Sequence, residues 1–142
     1  MLRRLFSFLQ KRPEAEVTLV HPRLGPLKYV EGIWYGQAPS KPEIEITIIG
    51  NERGPDGKQA ERLLEHLQAF GEIEQKTQDF LAAQLASDPK VKVSDFQIQS
   101  LDFLWPKEDD YFMVYLKSKW DEYGLWKLEF VNGEPKFLSR DD

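Results

Sequence analysis

No cysteine occurs among the 142 residues, which excludes disulfides, thiolate metal ligation and a cysteine nucleophile. Only two histidines are present, His21 and His66, so the side chain that most readily moves protons near neutral pH is scarce. His21 precedes Pro22 at the end of a strand pattern and reads as a turn residue. His66 flanks the apolar stripe of a helix and reads as a surface residue. No serine lies in a nucleophile-elbow pattern. The glycine-rich GNERGPDGK segment fails as a phosphate loop, because Gln59 follows Lys58 where a Ser or Thr is needed. Neither a cofactor nor a metal site is expected, and the balance is against an enzyme. No apolar run approaches the roughly 18–20 residues of a membrane-spanning helix. In MLRRLFSFLQKR, Ser7 and Gln10 interrupt the apolar stretch and no small-residue cleavage site follows, so a cleaved export signal is not expected. A cytoplasmic location is.

What the chain does have is ample core material, 41% hydrophobic and 13% aromatic residues, enough for one domain of this length. Its net charge of −5 is unevenly spread: Arg3, Arg4, Lys11 and Arg12 give +4 in the first twelve residues and leave −9 on the rest. A body that acidic repels phosphate backbones, so no nucleic acid is expected as a partner, and a basic protein would be steered toward it.

Residues 1–13 read as a basic amphipathic arm and 14–142 as a single α+β domain, with Pro13 separating them. In the arm, Leu2, Leu5, Phe6 and Leu9 recur at spacings of three and four, forming one apolar stripe beside arginines. Such a stripe suits weak contact with an anionic membrane surface through residues 1–12, carried by Leu2, Arg3, Arg4, Leu5, Phe6 and Leu9.

Strand patterns cover Glu16–His21 and Leu27–Tyr35, the second read as one continuous return strand. EIEITII then alternates so that Ile44, Ile46 and Ile48 share a buried face while Glu43, Glu45 and Thr47 share a wet one. Asp56 is the expected N-cap of a helix bearing Ala60, Leu63, Leu64, Leu67 and Phe70. Gly71 is expected to end or kink it before a second helical stretch over 72–86. From Phe96 to Trp105 the apolar phase slips, predicting a bulge near Gln99 or Ser100. Tyr111 to Leu116 is apolar on both faces and reads as a central strand. Asn132-Gly133 predicts a tight hairpin, and Pro135 puts its second strand at a sheet edge. The expected architecture is an antiparallel sheet of about six to seven strands in β-β-β-α-α-β-β-β-β order, with the helices on one face.

This order of HPRLGPLKYVEGIWYG, a glutamate-isoleucine strand, AERLLEHLQAF, FQIQSLDF and GLWKLEFVNGEP resembles small bacterial families of unknown function, some of them similar to immunity proteins of toxin systems. The resemblance implies a bacterial cytoplasmic protein that binds another protein and transfers no catalytic residue. Phe103, Phe112, Trp126 and Phe130 read as core. Trp34, Tyr35, Trp105, Trp120 and Tyr123 fall at strand ends or in turns, where an aromatic is suited to anchoring a partner. Acidic residues gather at Glu108, Asp109, Asp110 and at Asp121, Glu122, and join the same candidate binding surface. Were Asp109, Asp110, Asp121 and Glu122 to converge, they would instead hold a divalent cation for a hydrolase.

Overall fold

Alternation acts in EIEITII as its period of two dictates: Ile44, Ile46 and Ile48 are buried together on one side of a strand. The computed structural model describes residues 16–90, 92–119 and 125–141. Among them the chain forms β1 (Val17–His21), β2 (Gly25–Val30), β3 (Ile33–Ala38), β4 (Lys41–Asn51) and the two-residue β5 (Gly54–Pro55). Helices α1 (Gly57–Gln68) and α2 (Phe70–Gln84) follow, then β6 (Phe96–Phe103), β7 (Tyr111–Ser118), β8 (Leu125–Val131) and β9 (Glu134–Asp141). The fold is α+β, with one sheet ordered β1-β2-β3-β4-β6-β7-β8-β9 and β5 paired with the end of β4.

Two expectations are corrected by this sheet. The return strand over Leu27–Tyr35 is really a hairpin, because Glu31 (φ 48°) and Gly32 (φ 90°) form a two-residue turn between β2 and β3. Two successive positive φ values match the right-handed twist of the flanking strands, but a glutamate is not the residue that advertises such a turn. The sheet also has more strands than expected and is not wholly antiparallel: β4 and β6 run parallel, with Glu45 opposite Ser100 and Ile48 opposite Phe103. A parallel pair needs a long crossover, and α1 and α2 supply it. Two antiparallel meanders, β1–β4 and β6–β9, therefore meet along one parallel seam.

Several local expectations hold. Asp56 caps α1, accepting from the Gln59 backbone N–H at 3.0 Å. The register of β6 against β7 slips between Ile98 and Ser100, which is the predicted bulge. Asn132 (φ 51°) and Gly133 (φ 80°) make the predicted tight turn, and Pro135 lies on the edge strand β9. Every residue from Tyr111 to Leu116 is buried in the sheet interior. The helical break, however, falls at Ala69 (φ −111°, ψ 34°), and Gly71 sits inside α2. Neither described helix is long and apolar enough to cross a membrane.

Both helices cover the same side of the sheet. Leu63, Leu64, Phe70, Ile73 and Leu81 pack with Ile46, Ile48, Leu101, Phe103, Phe112, Val114, Leu128 and Phe130 in one core. The other side departs from its expected wetness. Thr47, Ser100 and Asp102, gathered along the seam, are 0%, 0% and 1% exposed. Two small clusters flank them on that side, Val30 and Tyr35 with Ile33, and Met113, Tyr115 and Leu125 with Trp105.

Candidate functional site

Arg62 and His66 are four residues apart on α1, so their side chains leave the helix on one face. That face meets the acidic loop 104–110 between β6 and β7. The Arg62 guanidinium donates from Nη1 to the Lys107 carbonyl at 3.0 Å and from Nη2 to the Glu108 carbonyl at 2.7 Å. One turn later, His66 Nε2 lies 2.7 Å from Asp110 Oδ2, and the carboxylate can only accept, so the imidazole donates. Its ring packs 4.5 Å from Phe112, itself stacked between Phe103 at 4.8 Å and Phe130 at 4.9 Å.

The β8–β9 turn closes the clamp from the other side. The Asn132 backbone N–H donates to the Asp110 carbonyl at 2.7 Å, and the Asp110 N–H donates back to Asn132 Oδ1 at 3.1 Å. Lys76 on α2 holds the same turn by donating to the Gly133 carbonyl at 3.0 Å. Within the loop, the Lys107 ammonium sits 3.9 Å above the Tyr111 ring, and the Tyr111 hydroxyl donates to Glu129. The loop backbone is thus fixed by α1, by the β8–β9 turn and by the first residue of β7. Glu108 and Asp109 remain exposed at its tip.

Of the residues the sequence nominated, Glu108, Asp109 and Asp110 come together here, and Asp110 is spent on the clamp. Trp105 stands beside them, half-buried against Tyr111 with ring centres 5.7 Å apart. Trp34 and Tyr35 hold interior positions, 1% and 4% exposed, with the Trp34 indole N–H donating to the Asn51 carbonyl at 2.9 Å. Trp120, Asp121, Glu122 and Tyr123 lie outside the described residues, and with them the convergence of the two acidic clusters on a cation. Among the described residues no group of three or more His, Asp or Glu is placed to hold a metal ion. The arm residues Leu2, Arg3, Arg4, Leu5, Phe6 and Leu9 likewise lie outside the described residues.

His21 keeps its turn role: its Nδ1 accepts from the Arg23 and Leu24 backbone N–H groups at 3.1 Å each. His66 is not the surface residue expected, since its side chain is only 16% exposed and paired. The clamp has a faint signature in the sequence: an Arg and a His one turn apart, an acidic loop and an Asn-Gly turn. Only the fold says that these face one another.

A second polar constellation sits under the opposite side of the sheet. Thr47 Oγ1 donates to Asp102 Oδ1 at 2.9 Å across the seam. Burial drives the Asp102 carboxyl up to about 7, partly offset by the Thr47 hydrogen bond. Burial also raises the neighbouring Tyr35 hydroxyl, with Asp102 adding to the effect.

No protein-family model, no curated protein and no solved structure matches this chain.

Proposed function

We propose that the chain is a protein-binding domain that receives a basic partner on the acidic loop 104–110. The form that the sequence resemblance gives this reading is an immunity-type inhibitor of a basic toxin. The observation that supports it is the clamp, which fixes the loop backbone while leaving two carboxylates outside. A loop ordered in advance loses little conformational entropy when a partner arrives, so more of the contact energy remains as affinity. Glu108 and Asp109 also project from a body of strong net negative charge, which steers cationic partners and raises their association rate. The His66–Asp110 pair supports the same reading, since its imidazole is packed against Phe112 and serves to hold the loop.

The test is recovery of the tagged chain from its native cells, beside the Glu108→Lys/Asp109→Lys variant. A stoichiometric partner of basic isoelectric point is expected with the parent chain. The variant should lose it at unchanged melting temperature, and calorimetry with the purified partner should show a loss of affinity of tenfold or more. No stoichiometric partner under several growth conditions, or one retained equally by the variant, would overturn the reading.

A further inference from the structure

A fork opens in the sheet ahead of the parallel seam. β4 and β6 first pair at Glu45 and Ser100, so residues 41–44 and 96–98 lie upstream of the ladder that joins the two strands. The bulge between Ile98 and Ser100 marks the point where they part. α2 crosses above the fork, and between helix and strands a cavity of about 290 Å³ remains. Loop 104–110 leaves the other end of β6, so this cavity is separate from the clamp.

Ile44, Phe70, Leu81, Phe96, Ile98 and Leu116 line the cavity and belong to the main core or pack against it. Thr77 is the polar exception among the buried lining residues. It is 3% exposed, and its hydroxyl has no hydrogen-bond partner among the described residues. A threonine inside a helix ordinarily donates to the carbonyl three or four residues before it, and this one does not. A buried hydroxyl left unpaired costs about 1–3 kcal/mol, and a ligand that pairs it recovers that cost. Rotation about χ1 exchanges the hydroxyl with the methyl group, so a bound polar group can be met from the cavity wall.

Three charges stand at the mouth. The Lys41 ammonium lies 5.1 Å from the centre of the Phe70 ring and forms no ion pair among the described residues. Glu43 and Glu74 line the same opening and are exposed. A simple anion entering there meets two carboxylates, and a simple cation meets the ammonium. A zwitterion complements all three. Phe70, against which Lys41 rests, and Thr77 are two helical turns apart, about 10 Å. That separation suits a single ring with charged groups at one end and a hydrogen-bonding group at the other. The volume agrees, since it falls just short of the roughly 300–1,000 Å³ that drug-sized ligands occupy.

We propose that the fork binds a free aromatic α-amino acid with a hydroxyl-bearing ring. The ring lies among Ile44, Leu81, Ile98 and Leu116, the carboxylate on Lys41, the ammonium toward Glu43 and Glu74, and the ring hydroxyl on Thr77. This site stands independently of the acidic loop and its partner.

Calorimetry on the full chain with L-tyrosine, L-phenylalanine and tyramine tests each contact. L-tyrosine should bind about tenfold more tightly than L-phenylalanine, which lacks the hydroxyl, and than tyramine, which lacks the carboxylate. Thr77→Val keeps the shape of the wall and should bring L-tyrosine to within about twofold of L-phenylalanine. Lys41→Gln should weaken L-tyrosine about tenfold and tyramine less than about twofold. The lysine is only half-buried, so this variant decides the matter should the Thr77 variant fail to fold. No heat from any of the three compounds at millimolar concentration would overturn the proposal. So would equal affinity of the parent chain for all three, tyramine bound most tightly, or an L-tyrosine affinity that Lys41→Gln leaves unchanged.

Discussion

The two sides of the sheet reach the same depth of burial by opposite chemistry. Under the helices, Ile46, Phe103, Phe112, Val114, Leu128 and Phe130 are fully buried and wholly apolar. On the reverse side, Thr47, Ser100 and Asp102 are as deeply buried and polar. Depth therefore does not say what a position contributes. The first side holds the fold by packing, whereas the second imposes a desolvation cost on a carboxyl group, which makes stability a function of pH.

The largest effect should come from breaking the apolar side. Phe112 lies between two stacked phenylalanines and against the His66 ring. Phe112→Ala should cost about 3–5 kcal/mol in chemical denaturation and loosen the clamp on loop 104–110 as well.

Next comes Asp102. Its folded value of about 7 lies above an unfolded carboxyl near 3.8, so the folded state holds its proton longer. Stability on this account is greatest below about pH 4, falls as pH rises through 7 and is level above. Thr47 and Glu45 face the group, with Tyr35 beside it. Between pH 5 and pH 8 the parent chain should lose about 3 kcal/mol relative to Asp102→Asn, which cannot ionise. Parallel stability curves for the two proteins would show that the carboxyl is not the source.

A smaller effect is expected from Thr47→Val, which keeps the shape and removes the donor to Asp102. The loss should be about 1–2 kcal/mol. The carboxyl should also titrate at higher pH in this variant, because its ionised form has lost a hydrogen bond, and comparison with the Asp102→Asn stability curve would show the shift. Smallest of all, Glu108→Lys/Asp109→Lys should change stability by no more than about 0.5 kcal/mol, since both side chains are exposed and neither belongs to the clamp. Thermal melts beside partner capture would separate what the loop tip does for binding from what it does for the fold.

Legibility in the sequence follows the range of the interaction. The alternation of Ile44, Ile46 and Ile48, the Asp56 cap, the slip near Ser100 and the Asn132-Gly133 turn are all written within a few residues, and all are readable. The Glu31-Gly32 turn is not, because glutamate rarely takes positive φ and the apolar pattern runs on through Val30 and Ile33. Nor is the helix break at Ala69, where a good helix former yields to tertiary packing. Thr47 shows the limit most directly: its place in the alternation correctly assigns it to the side opposite the isoleucines, but does not reveal that it is buried there and bonded to Asp102 from the far side of the seam. The site is half legible, since the acidic loop stands out in the sequence while Arg62, His66 and Asn132 become its holders only when 44 and 22 residues of separation are closed by the fold.

The parallel seam between β4 and β6 sets the order in which the chain can assemble. Within each meander, neighbouring strands are joined by short connections, several of them only two or three residues long, so each hairpin closes at little entropic cost. The seam brings together Thr47 and Asp102, 55 residues apart, and closing a loop of that length costs about 2.5 kcal/mol more than closing one of three residues. Folding time should therefore follow a single long-range event, the docking of two locally formed halves through a helical crossover, rather than the number of strands in the sheet.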